Sequence, residues 1–335
     1  MFSFIIPAYD PTDKLVCTGV LPKLLHDLER LNGEKEIIVV NNNGTEAGSL
    51  ARFLEDESSI GRIKLVSPGS NKGTAGGFNE GLRVAESTAE YHVFVSNDAQ
   101  VVDNDMLAKI VTAFRNNPKL GIGHPFSVFE DNDEYNLSHE YGRKRFYRAV
   151  KNGVASGEID LTDLEIESAV NIVARKSGVL YPLPSVPLTF CVISKTVIGC
   201  VGSFDEGVRF GCHENNDLCF RALKAGFQVG RINNVFVNHR RMLVRESAIS
   251  DDSQKRKLPH INEIRQSSDW WMGKYKKNYA ELYFEWRFGR LAGIVAAPIF
   301  ALRRIAINAR WKITSLRRVA GRKWKAGNGN QDEMS

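Results

Sequence analysis

Apolar positions in the first hundred residues follow two alternating rhythms. Residues 2–7, 36–40, 62–66 and 91–96 read as strands, 2–7 as a short apolar run and 36–40 as a strand of buried type. Between them, residues 13–31 place Leu21, Leu24, Leu25, Leu28 and Leu31 at helical spacing and run out at Gly33, a C-cap residue. Residues 49–54 and 77–86 read as further helices. Strands alternating with helices at this spacing predict an α/β fold, a mostly parallel sheet flanked by helices. Further on, residues 188–198 and 226–239 read as strands and 218–225 as a helix closed by Gly226. Residues 130–183 lose periodicity and read as a variable insertion facing an acceptor or, equally, as a solvated surface excursion. From about residue 261 the chain turns helical, aromatic and basic.

Composition adds little for the first part and more for the last. With 335 residues, 43% apolar and 25% charged, the chain suffices for one core plus an appendage. We expect a main domain over 1–260, a helical basic extension over 261–325 and a disordered tail over 326–335. The net charge of +6 belongs to the extension, because residues 287–325 contain no Asp or Glu. Five cysteines form no CxxC pair, so reduced thiols are expected. The opening MFSFIIPAYD has no basic leader, which favours the cytoplasm, and no apolar stretch reaches the ~20 residues of a spanning helix.

Open α/β sheets bind ligands at the carboxyl ends of their strands. Here those ends are polar or glycine-rich. The first delivers Pro7, Ala8, Tyr9 and Asp10, with small residues for close approach and a ring for stacking on a base. The second delivers NNNG, in which the side-chain carbonyl of Asn41 is suited to a pyrimidine N3–H. The third precedes NKGTAGG, where Asn71, Lys72, Gly73, Gly76 and Gly77 are expected to bring backbone N–H groups and a helix N-terminus to a phosphate or ribose. It is not a dinucleotide fingerprint. The fourth delivers Asn97 and Asp98, a carboxylate placed for Mg²⁺ or Mn²⁺.

Downstream, HENND places Glu214, Asn215 and Asp217 at the start of a helix, a setting for a general base. His239 follows the strand-like VFVN and is either a metal ligand or a core histidine.

Taken in order, these stretches resemble the inverting glycosyltransferases of family 2, which have a GT-A fold. IIPAYD is similar to the family's opening strand, VVNNNGTE to its VVDNxSxD segment and NKGTAGG to its N-x-G-x-x-G loop. SNDAQV is similar to the LNND form of the D-x-D motif, and HENNDLCFRALKAGF to the EDxDLxxR…G segment. LNND-type motifs occur in rhamnosyltransferases, and the glycine loop is similar to that of galactofuranosyltransferases. The resemblance implies a nucleotide-sugar donor, with UDP or dTDP favoured over GDP, held by Tyr9, Asn41, Asn71 and Gly73. It implies a divalent metal on Asp98 and His239, and an acceptor that is a glycan or lipid-linked. Two positions depart from the pattern. Asn41 replaces the family's nucleobase aspartate, and Asn215 replaces the second acid of its ED pair, the usual base. An amide accepts no proton at neutral pH, so Glu214 is expected to serve, with Asp217 as the alternative.

Two other readings compete. A sugar nucleotidyltransferase also uses such a sheet, but no GxGxRxxP-like loop is present. A non-catalytic scaffold binding nucleotide or glycan is compatible with Asn215. For the extension, aliphatic and aromatic residues mixed with Arg and Lys suit a helix lying on the anionic inner face of the plasma membrane. A helical oligomerisation unit is the alternative. No nucleic-acid-binding module accompanies the basic residues.

Overall fold

The structure, a computed structural model, describes residues 1–10, 14–43, 48–101, 103–127, 179–208, 213–239, 266–267, 269–277 and 279–289. Nearly all of the expected insertion and most of the basic extension, with the terminal tail, lie outside these residues. Two compact units divide the chain, Met1–Lys274 and Tyr275–Ser335.

The first unit is built on a nine-stranded sheet in the order β3-β2-β1-β4-β8-β6-β9-β5, with β7 added on β9. Its strands are β1 (Phe2–Ala8), β2 (Lys35–Asn41), β3 (Lys64–Val66), β4 (Tyr91–Val95), β5 (Ala99–Val101), β6 (Leu120–Ser127), β7 (Leu180–Pro182), β8 (Phe190–Ser194) and β9 (Gln228–His239). Strands β1 to β4, β6 and β9 run one way, and β5, β7 and β8 run against them. The expected fold, α/β with a mostly parallel sheet and flanking helices, is the one observed. β1 pairs with β2 from Phe2↔Lys35 to Ala8↔Asn41, so the polar ends of both strands emerge side by side.

The helices are α1 (Lys14–Cys17), α2 (Val20–Glu29), α3 (Ser49–Ser59), α4 (Gly73–Arg83), α5 (Met106–Asn116), α6 (Lys195–Val201) and α7 (Glu214–Lys224). The expected helix over 13–31 is broken at Gly19, whose φ of +72° is open to glycine but awkward for other residues. Beyond the break, Leu21, Leu24, Leu25 and Leu28 of α2 are fully buried in the core with Phe4 and Ile6. Removing one such side chain to Ala costs about 2–5 kcal/mol. The expected strand over 188–198 ends at Ser194 because its hydroxyl accepts from the Val197 N–H and starts α6.

In the second unit, α8 (Tyr279–Phe288) carries two aromatic pairs, Tyr283 with Trp286 and Phe284 with Phe288. Trp286 and Phe288 are exposed. Among the described residues, no helix is long and apolar enough to cross a membrane.

Candidate active site

The carboxyl ends of β1 and β2 are tied together by asparagine side chains. Asn43 donates from Nδ2 to the Asp10 carbonyl at 2.9 Å, and its Oδ1 accepts from the Asp10 N–H at 2.7 Å. Asn41 is buried, and its Oδ1 accepts from the Asn43 N–H at 3.3 Å. Asn42, also buried, reaches the next loop. Its Nδ2 donates to the Gly73 carbonyl at 3.1 Å, and its Oδ1 accepts from the Lys72 N–H at 2.9 Å. Tyr9 stands out from this frame with 45% of its surface exposed, as a stacking ring requires.

Lys72 caps α4, and Asn71 holds the turn by accepting from the Gly73 N–H at 2.7 Å. Gly73 has φ +68°, the left-handed region. The other glycines do something different from what the sequence suggested. Gly76 and Gly77 lie inside α4, buried, and a Cβ on Gly77 would stand 2.9 Å from Pro7 Cβ. A Cβ on Gly81 would overlap the Ile5 side chain. Gly77 and Gly81 let the helix lie directly on β1. The expectation that Gly76 and Gly77 serve a phosphate loop is therefore corrected: both lie inside α4, where close helix–sheet packing accounts for Gly77, and a Cβ on Gly76 would crowd the Lys72 side chain at 2.8 Å.

β4 ends at Val95 and the chain turns through Ser96, Asn97 and Asp98 into β5. Asn97 donates from Nδ2 to the Tyr9 carbonyl at 3.3 Å, joining this turn to the end of β1. Asp98 is buried, and its Oδ1 accepts from the Ser96 hydroxyl. β5 pairs antiparallel with β9, Ala99 opposite His239. Residues 98 and 239, distant in the chain, thus come to neighbouring backbone positions. Among the described residues, no three His, Cys, Asp or Glu side chains gather into a metal-binding group. A carboxylate and an imidazole are nevertheless an acceptable donor pair for Mn²⁺, with further positions left for phosphate oxygens.

The four polar residues opening α7 have separate tasks. Asp217 is wholly buried; Oδ2 faces Arg221 Nε at 2.8 Å and Oδ1 faces Lys274 Nζ at 2.6 Å. Arg221 goes on to donate to the carbonyls of Val201 and Ser203. Asn215 Nδ2 donates to the Val186 carbonyl at 2.9 Å, and Asn216 Oδ1 accepts from the Ser185 hydroxyl at 2.8 Å. Glu214 differs from all of them. It is 5% exposed, and its Oε2 has no hydrogen-bond partner among the described residues. Burial pushes its carboxyl up to about 7. That is where a group that exchanges a proton near neutrality must sit.

Glu214 opens α7 on the same side as the strand ends. The Ser96 N–H donates to the Thr189 carbonyl at 2.9 Å, which puts residue 189 at the tip of β4. Three residues earlier, the Val186 carbonyl accepts from Asn215. Three residues span at most about 11 Å. The candidate residues thus fall on one end of the sheet. Tyr9, Asn97 and the 71–73 turn are linked by hydrogen bonds through Asn42 and the strand ends, and α7 is tied in through 185–189.

Several residues of this frame escaped the sequence reading. Asn42 sits between two other asparagines with nothing to single it out. Asn79 holds both backbone groups of Phe204, donating to its carbonyl at 2.9 Å and accepting from its N–H at 3.2 Å. Lys274 and Ser185 lie far in sequence from the acids and amides they meet.

The sequence profile of glycosyl transferase family 2 matches residues 3–170. The chain is 24% identical over 224 residues to an uncharacterized protein of Mycobacterium tuberculosis strain H37Rv, a match covering 64% of this chain and 67% of that one. Its fold resembles a mannosyltransferase from Pyrobaculum calidifontis solved with GDP-Man and Mn²⁺, with a TM-score of 0.51 and 14% identity over 97% of this chain and 83% of that one. It also resembles GalNAc-T7 solved with UDP, GalNAc and Mn²⁺, with a TM-score of 0.50 and 13% identity over 71% of this chain. The match spans 43% of that GalNAc-T7 chain. With these folds alike and the profile covering half of its length, the chain belongs to glycosyl transferase family 2.

Proposed function

We propose that the protein is an inverting, metal-dependent glycosyltransferase that moves a hexosyl or deoxyhexosyl group from a nucleoside-diphosphate donor to a glycan or lipid-linked acceptor in cell-surface polysaccharide synthesis. The observation that carries the reading is the meeting of Asp98 and His239 positions across β5 and β9, beside the strand ends that bear Tyr9 and Asn41. Tyr9 stacks on the nucleobase, a uracil or thymine, and Asn41 and the Asn71–Gly73 turn line the nucleoside. Asp98 and His239 would hold Mn²⁺ or Mg²⁺, which when bound offsets negative charge on the diphosphate. The mannosyltransferase and GalNAc-T7 structures each hold Mn²⁺ with a nucleotide, which supports this donor chemistry.

Glu214 takes the proton from the acceptor hydroxyl. The freed oxygen attacks the anomeric carbon as the bond to the diphosphate oxygen breaks, its electron pair leaving with the diphosphate, so the configuration inverts. The Asn215 amide is held on the Val186 carbonyl and keeps the 185–189 segment against α7. The basic extension brings the enzyme to the inner face of the plasma membrane, where a lipid-linked acceptor lies.

The test is a thermal-shift panel of UDP, dTDP and GDP, each with and without Mn²⁺. A pyrimidine nucleotide that raises Tm only with Mn²⁺ is expected. No shift with any of the three would overturn the reading.

A further inference from the structure

Trp271 is only 1% exposed, although the helical segment 269–275 lies outside the sheet. Its ring stacks on His213, centroids 5.2 Å apart and planes inclined by 30°. His213 is the residue before Glu214, and it holds φ +81°, a left-handed conformation that is uncommon for a non-glycine residue. Asn216 Nδ2 lies 3.2 Å from His213 Nδ1 and grips the ring from the side. One helical turn on, Lys274 Nζ meets Asp217 at 2.6 Å and also reaches Asp205 at 2.8 Å. The segment therefore holds α7 at positions 213 and 217, on either side of Glu214.

We infer that Trp271 and Lys274 are positioning residues, a clamp on the first turn of α7 that fixes the direction and burial of the Glu214 carboxyl. The inference rests on Glu214 being the proton acceptor. Among the described residues no other ring stacks on His213, so without the indole its backbone is free to return to negative φ. That change turns the peptide plane entering Glu214 and lets the first turn fray, so water reaches the carboxyl. Among the described residues, the charged and titratable groups facing this turn are His213 at its cap, Asp217 and Arg221 of α7, Asp205 of the preceding loop, and Lys274.

The experiment follows the ¹³C resonance of Glu214 in glutamate-labelled protein through a pH titration, assigned by its loss in Glu214→Gln. In the wild type the midpoint is expected at about 7. In a folded Trp271→Ala variant it should fall by about one unit or more toward the ordinary carboxylate range. Trp271→Phe, which keeps a ring on His213, should restore it, and Met272→Ala on the exposed side of the same segment should leave it unchanged. If Trp271→Ala does not fold, Trp271→Leu is read by the same criterion. A raised midpoint that stays put when the indole is removed overturns the clamp. A wild-type midpoint already in the ordinary range removes Glu214 as the base, and the clamp with it, which is a distinct pattern.

Discussion

Asp217 and Lys274 meet at 2.6 Å, the carboxylate wholly buried and the ammonium one-third exposed. With Arg221 on its other oxygen, Asp217 has a cation on each side and both oxygens engaged within the fold. Its work is to join α7 to the 201–205 loop and the 269–275 segment. Breaking such a pair by removing one partner leaves uncompensated charge, so Asp217→Asn should cost about 2–4 kcal/mol in denaturant unfolding. The fraction that folds should keep a reduced turnover, because one arm of the clamp on α7 is lost while the Glu214 base remains. A variant of normal stability with abolished turnover would instead make Asp217 the base.

Glu214→Gln should abolish transfer while nucleotide binding survives, and the rate of the wild type should rise with pH through about 7 as the carboxyl ionises. Stability should move the other way. The folded-state value lies above the 4.5 of a free glutamate, so between about 4.5 and 7 the folded chain keeps a proton that the unfolded chain has released. Stability falls as pH rises through that window, and above it the buried carboxylate carries its full cost. Glu214→Gln should therefore raise stability by up to about 3 kcal/mol at pH 8 and by little at pH 4. Melting curves of both proteins at the two pH values check this.

At Gly81 an added Cβ would run into Ile5 of β1, and at Gly77 into Pro7. Both neighbours are in or at the end of a central strand, where little can give. Gly81→Ala should destabilise by about 1–3 kcal/mol despite alanine's better helix propensity. An exposed-site gain in Tm from the same substitution would mean that α4 does not lie this close to β1.

Strands β1, β2 and β4 were legible because each carries an apolar run ending in polar residues, a pattern that burial on both faces demands; the half-buried edge strand β3 carries a weaker one. Helix starts were harder. Gly73, Gly76 and Gly77 look like a phosphate loop, and only the closeness of Pro7 reveals that Gly77 is a packing glycine. The sequence favours Glu214 over Asp217, but what separates the two physically lies in tertiary contacts. Both acids suit a helix N-terminus, and of the two cations on Asp217, Arg221 lies one helical turn away and Lys274 57 residues away. Asn41 and Asn42 are equivalent in sequence, yet one closes its own turn and the other reaches the 72–73 peptide. The order β8-β6-β9 had no local signal, since it depends on pairings between strands far apart in the chain.

Asp98→Asn keeps the shape of the β4–β5 turn but removes the anionic oxygen. It should abolish the Mn²⁺-dependent part of the nucleotide thermal shift and leave the metal-free melting temperature within a few degrees. His239→Ala should weaken the same component. If both variants retain the full Mn²⁺ effect, the cation is held elsewhere, and the pairing of Ala99 with His239 serves only the sheet.

Residues 287–325 hold eleven Lys and Arg and no acid, and α8, which leads into that region, leaves Trp286 and Phe288 exposed. Each basic residue held near an anionic leaflet contributes about 1 kcal/mol, and aromatic rings settle at the headgroup level. The full chain should co-sediment with vesicles rich in phosphatidylserine and not with phosphatidylcholine vesicles. Binding should weaken as salt is raised, because the attraction is screened beyond about 8 Å at physiological ionic strength. A chain truncated before Trp286 should lose this binding while keeping its nucleotide thermal shift. Unchanged sedimentation of the truncated chain would assign the basic stretch to another task, with self-association the first to examine by sedimentation velocity.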